Sequence, residues 1–322
     1  MDTGKVTTLY EKENKVENTK IICSFCYSKF VLTNETKNCG VCHSKDFLLN
    51  NSYALLKLQN SNSIYKMYKA KNVKNNLFVT IKERLFGYKV FSEIWKDEIF
   101  TSKQICKIEK LARCDMLEIL NDIPRSINER YIVFEYSNSK NLYSLNEISL
   151  KSTKFNSEQD VLKMMSVLFK ELQILQKNHL IHRNINPESI LFYECNSTLS
   201  FFFTNFGFSS IYNFYKNSTE IEKSFYTSPE INTDEECFAS DIFSLSSTIS
   251  FVINSLKIDV GQKMIALLDD MRNSDYLKRP KIELCLQLLI SYNPKFIISS
   301  QFDNYSLITN HKSQLFSQSK EN

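Results

Sequence analysis

Four cysteines stand in two pairs, Cys23-Ser-Phe-Cys26 and Cys39-Gly-Val-Cys42, with the spacing C-x2-C-x12-C-x2-C. A C-x2-C turn aims two thiolates at one point while its backbone amides face the sulfurs. Two such turns brought together close a tetrahedral S4 site, which Zn2+ accepts without geometric strain. Four protein ligands leave no open position, so the expected role is structural rather than hydrolytic. A segment this short buries too little apolar surface to fold alone, and metal binding would supply the missing free energy. An iron site of rubredoxin type and a set of free or redox-paired thiols are the alternatives for the same pattern. His43 directly follows Cys42 and reads as an exposed neighbour rather than a fifth ligand, while Gly40 suits a tight turn in the second knuckle.

The elements that must carry these and other groups are legible from periodicity. Residues 1–20 are polar and Lys/Glu-rich, a mobile tail by composition. Residues 53–136 read as strands with one helical stretch; 78–82 (FVTIK) and 131–136 (YIVFEY) are β-branched and aromatic. From Ser157 the period becomes helical, with Val161, Met165, Leu168, Leu172 and Leu175 on one face of a helix ending near Asn178. Further helices are expected at 240–256, 261–271 and 281–291, and residues 297–322 turn polar again. A strand-rich part followed by a helix-rich part predicts an α+β fold in two lobes. No internal repeat is read from the sequence.

Composition bounds the classes. The chain has 322 residues, 43% hydrophobic and 24% charged, which excludes wholesale disorder, collagen and a coiled-coil rod. The net charge of +4 is too small to argue for nucleic acid by itself. No run reaches the length of a membrane span and the first residues do not form a signal peptide, so a soluble intracellular protein is expected. Nine cysteines without a secretory signal point to a reducing compartment. Only five glycines are present, where average usage would give about twenty, so no site here can need several glycines in one loop. The bias toward Asn, Lys, Ile and Phe suggests an AT-rich genome, hence the cytoplasm or the stroma or matrix of an organelle with such a genome.

The second half now becomes specific. Residues 181–191 (IHRNINPESIL) resemble the catalytic loop of eukaryotic-type protein kinases, H-R-D-x-x-x-x-N. Asn205-Phe-Gly207 stands where D-F-G belongs, Ser228-Pro-Glu230 where A-P-E belongs, and Val79-Thr-Ile-Lys82 where V-A-I-K belongs. Ser240-Asp241 and Arg279-Pro280 match later family landmarks, and the order holds across residues 52–292. A four-cysteine knuckle directly ahead of this frame is similar to the "4-Cys" serine/threonine kinases of cyanobacteria. The resemblance implies a bilobal kinase-like fold: zinc ribbon 21–50, small β-rich lobe 51–136, large α-helical lobe 137–296 and tail 297–322. It also implies that His182 stacks with Phe206, that Asp241 binds the backbone of the His182–Arg183 turn, and that Glu230 pairs with Arg279.

The departures from the family pattern fall on its reactants. The catalytic Asp position is Asn184, and an amide has no basicity near neutral pH; losing a positioned base typically costs ~10²–10⁴ in rate. The metal-binding Asn position is Ser189 and the metal-binding Asp position is Asn205. The Gly-rich loop positions fall at Asn60, Asn62 and Tyr65. Lys82 is vestigial on this reading, and the helix position that should offer it a Glu falls at Gln104, with Glu98 as the competing register. The expectation is therefore a catalytically inactive pseudokinase with a structural Zn2+, binding neither ATP nor Mg2+. It would act as a protein-binding scaffold or subunit of a complex. Two alternatives remain open: a divergent serine/threonine kinase with weak phosphoryl transfer through Lys82, and a zinc-ribbon factor associated with nucleic acid.

Overall fold

Strands rich in β-branched and aromatic residues build the first part of the chain, and helical apolar stripes build the second. In the computed structural model the described residues are 19–33, 35–61, 65–85, 89–108, 114–121, 129–136, 142–150, 155–195, 198–206, 225–230 and 238–292. Both expected tails (all of 297–322, and 1–20 apart from Thr19 and Lys20) lie outside them. The chain divides into two units, Met1–Trp95 with Arg113–Asn141 and Lys96–Ala112 with Leu142–Asn322.

The first unit is a sheet of seven described strands: β1 Thr19–Ile22, β2 Lys29–Leu32, β3 Tyr53–Ser61, β4 Tyr65–Asn72, β5 Phe78–Arg84, β6 Cys114–Asn121 and β7 Glu129–Tyr136. Their order is β2-β1-β3-β4-β5-β7-β6, and every pairing is antiparallel. Ile22 of β1 stands opposite Leu55 of β3, so the cysteine-bearing hairpin extends the same sheet that carries Lys82. Ile22, Leu55, Tyr68, Val79, Ile81 and Val133 are buried in one cluster on this sheet. Ile21, Cys23, Cys39, Phe47 and Ala54 form a second cluster beside the thiols.

Helix α1 (Lys89–Ile105) runs through the boundary between the two units in sequence. Trp95 is buried on it. The second unit is built around α2 (Glu158–Lys177), whose five sequence-read positions Val161, Met165, Leu168, Leu172 and Leu175 are all buried. Its start is fixed by a capping box: the Ser157 side chain accepts from the Asp160 N–H, and the Asp160 side chain accepts from the Ser157 N–H. Asn178 caps its other end. A three-stranded sheet, β8 Tyr143–Ser144, β9 Ile190–Cys195 and β10 Thr198–Phe203, lies in the order β10-β9-β8, and α2 packs against β10. Helices α3 (Phe238–Leu256), α4 (Gln262–Met271) and α5 (Ile282–Tyr292) complete it, with α3 and α5 both against α2. Among the described residues no helix is long and apolar enough to cross a membrane.

Candidate functional site

The four thiols converge. The sulfurs of Cys23, Cys26, Cys39 and Cys42 all lie within 4.8 Å of one another. Cys23 Sγ is 3.8 Å from Cys42 Sγ, and Cys26 Sγ is 3.7 Å from Cys39 Sγ. A tetrahedral ion with ~2.3 Å metal–sulfur bonds needs sulfur–sulfur edges of ~3.8 Å. The donor set therefore fits a cation in size as well as in chemistry.

Two knuckles of matching geometry hold the sulfurs. The Cys23 N–H donates to Ser28 O at 2.9 Å and the Tyr27 N–H to Cys23 O at 2.9 Å. In the second, the Cys39 N–H donates to Ser44 O at 2.9 Å and the His43 N–H to Cys39 O at 3.0 Å. Tyr27 and His43 both adopt left-handed backbone, with φ of 59° and 57°. A short repeat underlies this: Cys-Ser-Phe-Cys-Tyr-Ser-Lys at 23–29 against Cys-Gly-Val-Cys-His-Ser-Lys at 39–45. It corrects the reading that the chain has no repeat, and it was findable by aligning the two pairs past their second cysteine. The left-handed position is the residue after that cysteine, so Gly40 is not used for positive φ. His43 is exposed.

Ser28 is a second group the sequence reading missed. Its hydroxyl lies 2.9 Å from Cys26 Sγ and 3.5 Å from Cys39 Sγ. The Ser28 hydroxyl and N–H pull the Cys26 thiol down. Burial works against the Cys39 thiolate, but the Cys42 N–H, the Ser28 hydroxyl and the Val41 N–H together bring it to about 6. Burial pushes Cys23 up to about 12. A bound cation would hold all four as thiolates.

In the second unit the loop at 181–191 is braced from below. Asp241, at the start of α3 and fully buried, accepts the His182 N–H at 2.7 Å and the Arg183 N–H at 2.8 Å. His182 Nε2 lies 2.9 Å from Thr204 O, and its ring sits 4.5 Å from that of Phe206. These are the contacts expected of His182, Phe206 and Asp241. Arg183 is left-handed at φ 62°, a strained position that the Asp241 carboxylate holds.

Asn184 follows on this braced turn, half-buried, with its Oδ1 accepting from Asn186 Nδ2 at 3.0 Å. Asn186 organises the rest of the loop. Its Nδ2 also donates to Asn184 O, and its Oδ1 accepts the N–H groups of Glu188 and Ser189 at 2.8 and 3.2 Å. The sequence reading passed over Asn186, although Asn before Pro187 is a turn signal. Ser189 is fully buried and closes the loop: its hydroxyl donates to Asn186 O at 3.0 Å and accepts the Asn186 N–H at 2.9 Å. It serves the backbone first.

Asn205 is buried and left-handed at φ 65°, a conformation Asn tolerates better than most residues. Its Nδ2 donates to Glu188 O at 3.1 Å. Its Oδ1 is buried and has no hydrogen-bond partner. The side chain thus ties the 204–206 turn to the Asn184 loop and leaves one amide oxygen available. Gly207 and Asn62 lie outside the described residues.

In the first unit Lys82 is fully buried on β5. Its Nζ lies 5.4 Å from the ring centroid of Tyr65 and 5.2 Å from that of Phe134. Tyr65 opens β4, and its ring faces the ammonium. On α1, Asp97 and Glu98 are buried and Gln104 is half-buried in the last turn.

Glu230 and Arg279 form the expected pair. Arg279 Nη2 donates to Glu230 Oε2 at 2.8 Å, and Nη1 bonds both Glu230 Oε1 and Ala239 O. Ser240 Oγ adds a bond to Oε1 at 2.7 Å. Burial disfavours the Glu230 charge, but Arg279 and Ser240 outweigh it and hold the carboxyl below its ordinary value.

Residues 63–258 match the family model described as the protein kinase domain. This chain belongs to the protein kinase family. The chain is also 27% identical over 161 residues to a probable serine/threonine-protein kinase of Dictyostelium discoideum. The match takes in 49% of this chain but 11% of that relative, so the chain spans only about a tenth of the relative's length.

The kinase domain therefore has its antiparallel β lobe followed by a helical lobe, preceded by the four-cysteine cluster, as the α+β expectation required. The expectation of a chain that is not an enzyme is corrected: the family match and the kinase named as its relative point to an enzyme. That expectation rested on charge lost at Asn184, Ser189 and Asn205 and gave too little weight to what kinase chemistry requires. Phosphoryl transfer passes through a loose transition state and depends on positioning and electrostatics more than on a strong base. Losing basicity lowers the rate without changing the reaction class.

Proposed function

We propose that this chain is a divergent serine/threonine-type protein kinase that transfers phosphate from ATP, slowly, to a hydroxyl of a protein substrate. The observation that carries the proposal is Asn184, presented on a loop that Asp241 and Asn186 hold rigid. An amide oxygen so placed can orient a substrate hydroxyl, although it cannot take up its proton. Lys82 supplies a buried cation on β5 for phosphate oxygens. The donor set for Mg2+ is neutral: Asn205 Oδ1 would hold the ion, with nucleotide phosphates providing the anionic ligands. Bound there, the ion would neutralise charge on the phosphates.

We propose Zn2+ as the cation of the four-cysteine centre, in a structural role, because an all-thiolate tetrahedron suits it and leaves no coordination position for chemistry. A reducing intracellular location belongs to the same proposal.

The test is phosphate transfer from radiolabelled ATP to mixed protein substrates with Mg2+ or Mn2+. Transfer should be slow and should vanish in Lys82→Met. No transfer with either ion, together with no thermal shift on adding ATP, overturns the kinase reading. Metal analysis of the purified chain should find one zinc per molecule; iron in its place would overturn the zinc assignment.

A further inference from the structure

The knuckle repeat is symmetric in backbone but not in what its left-handed residues do. His43 points to solvent. Tyr27 packs against the buried cluster of the main sheet, and its hydroxyl donates to Glu83 Oε1. Glu83 is 1% exposed and neighbours Lys82 on β5; its other oxygen accepts from Tyr68 OH on β4 at 3.0 Å. Lys66 Nζ, also on β4, covers the Tyr27 ring at 4.8 Å. One residue thus joins the loop of the first cysteine pair to the strand of Lys82, across 56 positions of sequence.

The strain tells how the two are coupled. Left-handed backbone at a non-glycine residue costs about 1 kcal/mol or more and persists only where the surroundings enforce it. At Tyr27 the enforcement is the turn itself: its N–H bonds Cys23 O, while Cys23 and Cys26 converge on the other two sulfurs. A metal-closed turn keeps φ positive and the phenol aimed at β5. An opened turn frees Tyr27 to relax and withdraw its hydroxyl from Glu83.

We propose that Tyr27 is a positioning residue through which the metal-closed first knuckle fixes the strand carrying Lys82. The proposal rests on the reading of the four cysteines as a metal centre; it does not need the chain to transfer phosphate. By reciprocity, whatever metal binding adds to the order of β5, an ordered β5 returns to metal affinity.

The experiment is hydrogen exchange of the full chain, metal-loaded and chelator-stripped, read on peptides covering Phe78–Arg84. In the wild type, stripping should speed β5 exchange about tenfold. Tyr27→Phe, which removes only the hydroxyl, should exchange fast in both states while still binding cobalt with an unchanged thiolate charge-transfer band. Glu83→Gln should behave alike if Tyr27→Phe folds poorly. His43→Ala, at the symmetric position, should keep the wild-type metal dependence. A wild type that holds metal but shows metal-independent β5 exchange overturns the proposal, as does full metal dependence in both Tyr27→Phe and Glu83→Gln. A wild type that binds no metal fails the metal reading and takes the proposal with it. Absent phosphate transfer with intact metal-dependent exchange fails the kinase reading alone.

Discussion

Asp241 grips His182 from beneath: its Oδ2 accepts the His182 backbone N–H at 2.7 Å while Oδ1 takes the neighbouring Arg183 N–H at 2.8 Å. A buried carboxylate spent on two backbone donors is a brace, and it fixes a turn whose Arg183 is left-handed. Asp241→Asn replaces one acceptor with a donor that faces an N–H. Urea unfolding should show a loss of about 2–3 kcal/mol with an unchanged m-value. A loss below the error of the measurement would mean that the loop holds itself.

The Glu230–Arg279 pair predicts how stability falls in acid. The Glu230 carboxyl is held below its ordinary 4.5 in the folded chain, against the pull of burial, chiefly by Arg279. The charged form therefore favours folding at any pH above the ordinary value. That contribution fades as the pH drops below it and is gone once the folded carboxyl protonates. Denaturant midpoints taken from pH 6 downward should fall, and Glu230→Gln should be less stable at pH 6 but flatter across the acid range. Arg279→Met leaves the Glu230 charge buried without its guanidinium and should cost about 3–5 kcal/mol at pH 7.

Asn205 contributes to folding through its amide nitrogen. Its Nδ2 donates to Glu188 O, so a carboxylate oxygen in that place would face a carbonyl at about the same 3.1 Å. Asn205→Asp should therefore lower thermal stability in EDTA, by about 1–3 kcal/mol, and Mg2+ with ATP should restore much of it. Unchanged stability in EDTA would argue against any strain from a charge at this position.

On the proposed kinase reading, Asn184→Asp places a base at the substrate hydroxyl. If slow transfer reflects the missing base, the variant should gain ~10² or more in kcat with little change in the KM for ATP. Equal rates for the two proteins would show that positioning, not basicity, limits the reaction.

The four-cysteine centre predicts a stability effect of metal that its neighbour does not share. If the centre holds zinc as proposed, Cys39→Ser should lose it and melt earlier, as the wild type should on prolonged chelation. His43→Ala should retain both zinc and melting temperature, because His43 is exposed and all four thiols remain.

Much of the fold was legible because its signals are local. The apolar face of α2 repeats every three to four residues from Val161 to Leu175, and the capping box at Ser157 and Asp160 lies three positions apart. The cysteine pairs announce themselves by spacing, and the His182–Asp241 and Glu230–Arg279 contacts follow from motifs in a familiar order. Asn186 and Ser28 were overlooked because each acts through bonds to neighbours that only the folded turn brings within reach.

The amino-acid sequence alone determined the element order, the set of four cysteines and the residues standing at the kinase-motif positions, since each depends on side-chain type and short-range spacing. Only the tertiary structure decided that β1 joins the sheet of Lys82, that Tyr27 rather than His43 reaches Glu83, and that Asn205 keeps an unpartnered oxygen. Those outcomes turn on strand neighbours and on where a left-handed turn aims a side chain. Spacing cannot encode them, because the two knuckles share one backbone and differ only in what lies opposite.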